Sequence, residues 1–118
     1  MIYAFDFDGT LDDYYVQKFC TKLMRSGHEV WVVTMRNDND FNWVVMKPVL
    51  DKIKLSKSSV IFCNEKPKAD FLQAINADVY IDNIDDEFDE IKSKTTAIPL
   101  LWNSQEIKYY SGRYHQTK

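Results

Sequence analysis

The sequence has few of the residues that bind metals through sulfur or nitrogen, or that cross-link a chain. Its 118 residues include two cysteines and two histidines, and no Cys-x-x-Cys pair occurs. A zinc site is therefore not expected. Cys20 and Cys63 lie in apolar stretches, which predicts two buried free thiols rather than a disulfide.

Long hydrophobic runs are also missing. No apolar segment is long enough to span a bilayer, and Asp6 and Asp8 interrupt the N-terminal region where a signal peptide needs a continuous apolar core. The chain is thus predicted to be cytoplasmic, with no membrane partner. A net charge of −3 is too small to indicate a particular partner. Without repeats, linkers or low-complexity segments, a chain of 118 residues corresponds to one domain.

What the sequence does contain is an alternation of strand-like and helix-like apolar segments, which predicts an α/β fold with a parallel sheet. Predicted strands cover residues 2–5, 29–34, 59–63, 78–82 and 96–102. Predicted helices cover residues 14–25, 41–53 and 67–76, and a fourth follows Asp82. Gly27 is expected to end the first helix. Pro48 predicts a kink or a break in the second.

Two acidic residues close the first predicted strand. Asp6 and Asp8 follow an apolar run, and Gly9 and Thr10 come next. An unpaired charge beside a core is costly, and open α/β sheets bind ligands at the carboxyl ends of their strands. Gly9 would let the backbone bend and approach a ligand closely. The alternative interpretation is a strand end with solvated acids and a turn.

Polar residues at two later strand ends extend this pattern. The strand 29–34 closes on Thr34, whose hydroxyl suits oxygens that carry negative charge, although threonine is also common in strands. Arg36 could clamp a phosphate bidentately, or it could be a surface arginine. Lys66 and Lys68 lie where the third strand gives way to a helix, a location that favours anions. Lys68 is the preferred candidate of the two.

The fourth strand ends on Asp82 and is followed by Asn83 and an acidic cluster, Asp85, Asp86 and Glu87. Acids in a first helical turn are favoured by the helix dipole, which accounts for Asp86 and Glu87 without a function. That reason does not apply to Asp82, because it terminates a strand.

The stretch Asp6-Phe7-Asp8-Gly9-Thr10-Leu11 resembles the first signature motif of the haloacid dehalogenase (HAD) superfamily, most of whose members are phosphatases. The resemblance implies that Asp6 is the nucleophile of an aspartyl-phosphate mechanism and that Asp8 is the general acid and base. It also implies that Thr34 and Lys68 bind the transferred phosphate. Lys66 remains the alternative lysine, because it precedes a proline as in some members.

The resemblance further implies substrate contacts from Thr10 and Arg36 and a Mg²⁺ ion. The ion would be held by Asp6, Asp8, Asp82 and Asp86, with Asp8 acting through its backbone carbonyl and Asp85 competing with Asp86. Asn83 is a departure, because many relatives carry a second aspartate there, and it lowers the charge of the site.

For the fold, the resemblance implies a three-layer Rossmann-like sandwich with a mostly parallel five-stranded sheet in the order 5-4-1-2-3. It assigns residues 1–103 to a catalytic domain and residues 104–118 to a C-terminal tail. The gaps between motifs are too short for a cap domain, so the site is expected to be open.

Thr34-Met35-Arg36, at the end of the second strand, resembles the Thr-x-Arg of compact HAD members that include nucleotidases and polynucleotide phosphatases, which implies a nucleotide or a nucleic-acid end as substrate. Basic residues and Tyr109, Tyr110 and Tyr114 in the tail could stack on single strands, or the tail could be solvated or packed. The alternatives to a nucleotide-type phosphatase are a phosphoprotein phosphatase and a non-catalytic HAD-like binding protein.

Overall fold

The computed structural model describes residues 1–103 and 106–109. In chain order the elements are β1 (Ile2–Phe5), α1 (Tyr14–Arg25), β2 (Glu29–Thr34), α2 (Asp40–Ile53), β3 (Val60–Phe62), α3 (Ala69–Ala74), β4 (Val79–Asp82), α4 (Phe88–Lys94), β5 (Ile98–Trp102) and β6 (Ile107–Tyr109). Each predicted strand, and each helix for which bounds were predicted, lies within two residues of its observed bounds. The predicted α/β class is confirmed.

One mixed sheet runs through the described residues in the order β3-β2-β1-β4-β5-β6. Adjacent strands from β3 to β5 pair in parallel. The last strand, β6, pairs antiparallel to β5, with Trp102 opposite Ile107. The predicted five-stranded sheet is therefore wrong, because it omits β6. This strand comes from residues 107–109, inside the predicted tail, and three residues are too few for a periodic pattern. Residues 104, 105 and 110–118, including Tyr110 and Tyr114, lie outside the described part of the chain.

Helices cover both faces of the sheet. Successive side chains of a strand point to opposite faces, so each strand contributes to two apolar layers. In β1, Phe5 belongs to one apolar layer and Ala4 to the other. The layer of Phe5 is completed by buried residues of α1 and α2, and the layer of Ala4 by buried residues of α3 and α4. The central strand β1 lies between β2 and β4, so its carboxyl end opens between theirs.

The ends of the helices confirm some of the predicted signals and correct others. Gly27 adopts φ +88° just after α1, as expected for a residue that terminates a helix. Pro48 does not break α2, which continues through it as one helix. Pro67 precedes α3 instead of opening it, because Lys68 is the N-cap residue. The structure places Asp86 and Glu87 before α4, not in its first turn, since this helix begins at Phe88.

Both cysteines are buried free thiols, as predicted. Burial raises the pKa of Cys20 and of Cys63 to about 12, so both thiols stay protonated at neutral pH. Within residues 1–103 and 106–109, no helix has both the length and the apolar composition needed to cross a bilayer.

Candidate active site

The acids predicted to act together meet in one crevice at the carboxyl ends of β1 and β4. After β1 ends, the backbone amide of Asp6 still donates to the carbonyl of Ile81 in β4, at 2.9 Å. This contact keeps Asp6 beside Asp82, the last residue of β4. The crevice measures about 280 Å³ and is lined by Asp6, Asp8, Met35, Lys68, Asp82, Ile84, Asp86 and Glu87.

Lys68 lies at the centre of the polar cluster, with its side chain only 2 % exposed. Its Nζ donates to Asp6 Oδ1 at 2.6 Å and to Asp82 Oδ2 at 3.3 Å. A third hydrogen bond, at 2.5 Å, goes to the hydroxyl of Tyr80. The start of α3 thus supplies the cation that pairs with the carboxylates at the ends of β1 and β4.

Asp6 is buried, with 8 % of its surface exposed. Its Oδ1 accepts from Lys68, whereas Oδ2 accepts a long hydrogen bond of 3.4 Å from the buried hydroxyl of Thr10. Burial raises the pKa of Asp6 to about 7; the charge of Lys68 opposes this shift and that of Asp82 adds to it. The hydrogen bond from Thr10 helps to orient the Asp6 carboxylate. Because the side chain of Thr10 is fully buried, it cannot contact a substrate as predicted.

The charges in this cluster do not balance, because one ammonium group faces two carboxylates. Burial alone would lower the pKa of Lys68, but the charges of Asp6 and Asp82 outweigh it and raise the pKa. For Tyr80, burial followed by the charge of Asp82 raises the pKa well above its usual value. Lys68 is accordingly an ammonium and Tyr80 a neutral phenol, and the site has an excess of negative charge once Asp6 is ionised.

Arg36 binds the second acid of the motif and is not a free phosphate clamp. Its Nε lies 2.9 Å from Asp8 Oδ2 and its Nη2 lies 2.7 Å from Asp8 Oδ1. The remaining terminal nitrogen donates to Asn42 Oδ1 at 2.6 Å. Hydrogen bonding to Asp8 raises the pKa of the guanidinium, partly opposed by its burial. Asp8 is thereby held at the edge of the crevice in one orientation.

The Asn83 amide links the ends of β1 and β4. In the orientation that satisfies its hydrogen bonds, its nitrogen donates to the backbone carbonyl of Asp8 at 3.0 Å, to Asp82 Oδ1 at 3.1 Å and to the hydroxyl of Thr10 at 3.2 Å. The carboxylates of Asp6 and Asp82 and the carbonyl of Asp8 are hard oxygen donors of the kind that Mg²⁺ prefers. The chemistry of the donors at this end of the sheet therefore fits Mg²⁺.

No group of three or more His, Cys, Asp or Glu side chains in the described residues is arranged to hold a metal. The donors at the ends of β1 and β4 are two carboxylates, those of Asp6 and Asp82, and one backbone carbonyl, that of Asp8, so only two of them are side chains. Asp86, a predicted ligand, lines the same crevice. Its competitor Asp85 is not among the residues that line it.

Thr34 and Lys66 lie outside the cluster. Thr34 is buried and its hydroxyl accepts from the backbone amide of Arg36 at 3.2 Å, so it shapes the loop that carries Arg36. It is not among the residues that line the crevice. Lys66 is exposed, whereas Lys68 is buried between the acids. The structure thus brings Lys68 to the acids and leaves Lys66 at the surface.

Three residues of the site were missed from the sequence. Tyr80 lies two positions before Asp82 in β4, so its side chain points to the same face of the sheet, a signal that could have identified it. Asn42 in α2 holds Arg36, and Glu87 accepts from the backbone amide of Lys68 at 2.8 Å. These two contacts join residues that are distant in sequence or belong to different elements, and no local pattern marks them.

Three comparisons with known proteins add no relative to this description. No protein-family model matches the sequence. Neither the search of curated proteins nor that of solved structures found a significant match.

Proposed function

We propose that this chain is a metal-dependent enzyme of phosphoryl transfer. Within that class, the site best fits a Mg²⁺-dependent phosphomonoester hydrolase of the HAD type. The observation that carries the proposal is the convergence of Asp6, Lys68 and Asp82, which come from β1, the start of α3 and the end of β4. A buried carboxylate beside a cation and a set of metal-binding oxygens is the arrangement needed to attack phosphorus.

In the first step a carboxylate oxygen of Asp6 forms a bond to phosphorus, and the bond from phosphorus to the leaving oxygen breaks. Oδ2 is the more weakly bound oxygen of Asp6, since its hydrogen bond from Thr10 measures 3.4 Å whereas that from Lys68 to Oδ1 measures 2.6 Å. Lys68 neutralises charge that develops on the phosphoryl oxygens. The products of this step are an aspartyl-phosphate on Asp6 and the free alcohol.

Asp8 is the proposed general acid for the leaving oxygen and general base for the attacking water. It gives a proton to the leaving oxygen in the first step and takes one from water in the second, when water attacks phosphorus and phosphate departs from Asp6. The ion pair with Arg36 suits Asp8 as a base. The acid step requires Asp8 to hold a proton, so part of this ion pair has to open when substrate binds.

Mg²⁺ would be held by Asp6, Asp82 and the backbone carbonyl of Asp8, with Asp86 lining the same crevice, and would supply charge neutralisation at the phosphate. Hard oxygen donors of this kind match Mg²⁺ better than softer metals. Lys68 and Thr10 orient the nucleophile, since Lys68 donates to Oδ1 of Asp6 and Thr10 to Oδ2.

For the substrate, a nucleotide or nucleic-acid end is the class that we propose from the Thr34-Met35-Arg36 stretch. The exposed side chains of Met35 and Ile84 at the crevice would contact the leaving group. The many acids that line the crevice disfavour a long polyanion, so between these two substrates the structure favours a mononucleotide over a nucleic-acid end. A screen of mononucleotides, 3′-phosphorylated oligonucleotides and phosphopeptides would rank these substrates.

The proposal is tested by Mg²⁺-dependent hydrolysis of p-nitrophenyl phosphate by the wild-type chain and by Asp6→Asn. We expect turnover that needs Mg²⁺ and is abolished in Asp6→Asn, because an amide cannot attack phosphorus. Asp51→Asn is the matched control, since Asp51 is exposed and pairs with Lys47 on the surface of α2. Activity that survives in Asp6→Asn, or that ignores Mg²⁺, would contradict the proposal.

A non-catalytic binding protein is the second candidate, and the Arg36–Asp8 ion pair is what favours it. If Asp8 never leaves Arg36, the site can bind Mg²⁺ and phosphate without turning substrate over. Calorimetry with Mg²⁺ and inorganic phosphate separates the two functions: binding without hydrolysis of any phosphomonoester in the screen would select the binding protein.

A further inference from the structure

Tyr80 is the largest side chain that is completely buried beside the site, and the proposed mechanism gives it no role. Its ring packs against Phe88 of α4, with ring centroids 6.3 Å apart. Its hydroxyl contacts two groups of the site, Lys68 Nζ and Asp82 Oδ2, each at 2.5 Å. The surrounding layer is otherwise built mainly from apolar residues, so packing alone does not require a hydroxyl there.

The directions of these hydrogen bonds follow from the number of hydrogens that each group carries. An ammonium has three hydrogens and can only donate, and an ionised carboxylate can only accept. The single phenolic hydrogen therefore goes to Asp82, and the phenolic oxygen accepts from Lys68. Lys68 then uses one hydrogen on Tyr80, one on Asp6 and one on Asp82.

These three bonds of Lys68 are unequal in length. The contacts with Asp6 at 2.6 Å and Tyr80 at 2.5 Å are short, whereas the contact with Asp82 measures 3.3 Å. The hydrogen bond from Lys68 to Asp82 is the longest and therefore the weakest of the three. Exchanging it for a hydrogen bond to a phosphoryl oxygen would lose the least interaction energy. The other two would keep the ammonium beside the nucleophile.

We propose that Tyr80 is a positioning residue, which holds the ammonium of Lys68 and the carboxylate of Asp82 in the orientation that phosphoryl transfer requires. This inference rests on the proposed function. Tyr80 is too deeply buried to touch a substrate, so it acts through Lys68 and Asp82. The contacts of Tyr80 are expected to stabilise the transition state, in which the phosphoryl oxygens carry the most charge, more than they strengthen substrate binding.

The test compares Tyr80→Phe with the wild type in steady-state hydrolysis of p-nitrophenyl phosphate. We expect kcat to fall about tenfold while KM and the Mg²⁺ concentration for half-activation change less than about threefold, since an interaction made in the transition state lowers kcat. Tyr3→Phe makes the same chemical change on β1, where the hydroxyl lies at the surface, 4.0 Å from the sulfur of Met1. Phe88→Leu loosens the packing of the Tyr80 ring but keeps its hydroxyl.

If Tyr80 had a purely structural role, Tyr80→Phe would have no effect on kcat beyond that of loosened packing. Phe88→Leu would then impair kcat as much as Tyr80→Phe, and both losses would follow the folded fraction measured by circular dichroism. An unchanged kcat in Tyr80→Phe, or an equal loss in Phe88→Leu at equal folded fraction, overturns the inference while leaving the proposed function standing.

A second measurement does not depend on turnover. In metal-free protein labelled with ¹⁵N-lysine, the buried ammonium of Lys68 is expected to give a slowly exchanging ¹H–¹⁵N signal, which Tyr80→Phe weakens or removes and Tyr3→Phe retains. If the wild type hydrolyses no phosphomonoester, the proposed function fails and this signal alone decides whether Tyr80 orders Lys68. Should Tyr80→Phe not fold, the wild type still decides: a slowly exchanging Tyr80 hydroxyl proton supports the inference, and its absence overturns it.

Discussion

Arg36 binds both carboxylate oxygens of Asp8, at 2.9 and 2.7 Å, from a strand end that neighbours the one carrying Asp8. The pair is partly open to solvent, with 26 % of the Arg36 side chain and 53 % of the Asp8 side chain exposed. Exposed ion pairs contribute only about 0–1 kcal/mol to stability. The fixed geometry of this pair therefore matters for where Asp8 points and not for how stable the fold is.

Replacing Arg36 by lysine keeps the charge and removes the two-pronged geometry. We expect Arg36→Lys to lower kcat by about 10- to 100-fold, because a small misplacement of a catalytic group has effects of that size. The thermal midpoint should change little. Steady-state kinetics and a melting curve check both parts, with Arg25→Lys at the exposed end of α1 as the control. Wild-type kcat in Arg36→Lys would show that Asp8 does not need this partner.

The two candidate lysines differ in burial, and this predicts different effects of the same substitution. Lys68→Met leaves Asp6 and Asp82 facing each other without a cation, and breaking a buried ion pair typically costs about 3–5 kcal/mol. Lys66→Met changes an exposed side chain and should be nearly neutral. Urea unfolding at neutral pH measures both. Equal stability of the two variants would mean that Lys68 does not neutralise the acids.

The elements and the acids of the site were predictable because each depends on local sequence. Apolar alternation located β1 to β5, and the acids that end β1 and β4 identified Asp6 and Asp82. Lys68 could be preferred over Lys66 but not placed, because its depth depends on how α3 packs on the sheet. The HAD resemblance stays a prediction, since no comparison tests it.

What the sequence could not supply is the choice of partner among polar side chains. Thr34 and Arg36 were both expected to meet a phosphate, yet Thr34 accepts from the amide of Arg36, and Arg36 binds Asp8. Those contacts are set by the loop after β2 and by Asn42 on α2. The antiparallel strand β6 was missed for a related reason: a three-residue edge strand is defined by its partner β5 more than by its own pattern.

The raised pKa of Asp6 predicts how the stability of metal-free protein depends on pH. Its pKa is about 7 in the fold, against an ordinary value of 3.8. The folded state therefore holds the proton more tightly, and this contribution to stability is complete below about pH 4 and lost as pH rises to about 7. Each pKa unit corresponds to about 1.4 kcal/mol, so the loss is up to about 4 kcal/mol.

Asp6→Asn isolates this effect, because its side chain does not ionise. With a chelator present, the unfolding free energy of the wild type minus that of Asp6→Asn is expected to fall between about pH 4 and about pH 8. Mg²⁺ should oppose this trend near pH 8, since the metal binds the ionised carboxylate. Urea titrations across the range measure the difference. A difference that rises with pH in the chelator would contradict the assigned direction.

Gly9 and Gly27 both have positive φ, at +77° and +88°, but their surroundings differ. A Cβ on Gly27 would meet nothing within 4 Å, whereas one on Gly9 would lie 2.3 Å from the Asn83 amide. Gly27→Ala should therefore cost only the backbone strain of about 1–2 kcal/mol. Gly9→Ala should cost more and should displace Asn83, weakening Mg²⁺ binding by about tenfold or more. Urea unfolding and calorimetry with Mg²⁺ measure the two effects.

A double-mutant cycle determines whether the extra cost of Gly9→Ala comes from Asn83. Shortening Asn83 to alanine removes the amide that the new methyl group would meet. In the Asn83→Ala background, Gly9→Ala should then destabilise the protein about as much as Gly27→Ala does in the wild type. Residues in contact show coupling of about 0.5–3 kcal/mol in such cycles. Strict additivity would mean that Gly9 and Asn83 are not packed against each other, and the Asp8 carbonyl and the Asp82 carboxylate would then have to be held by contacts other than the Asn83 amide.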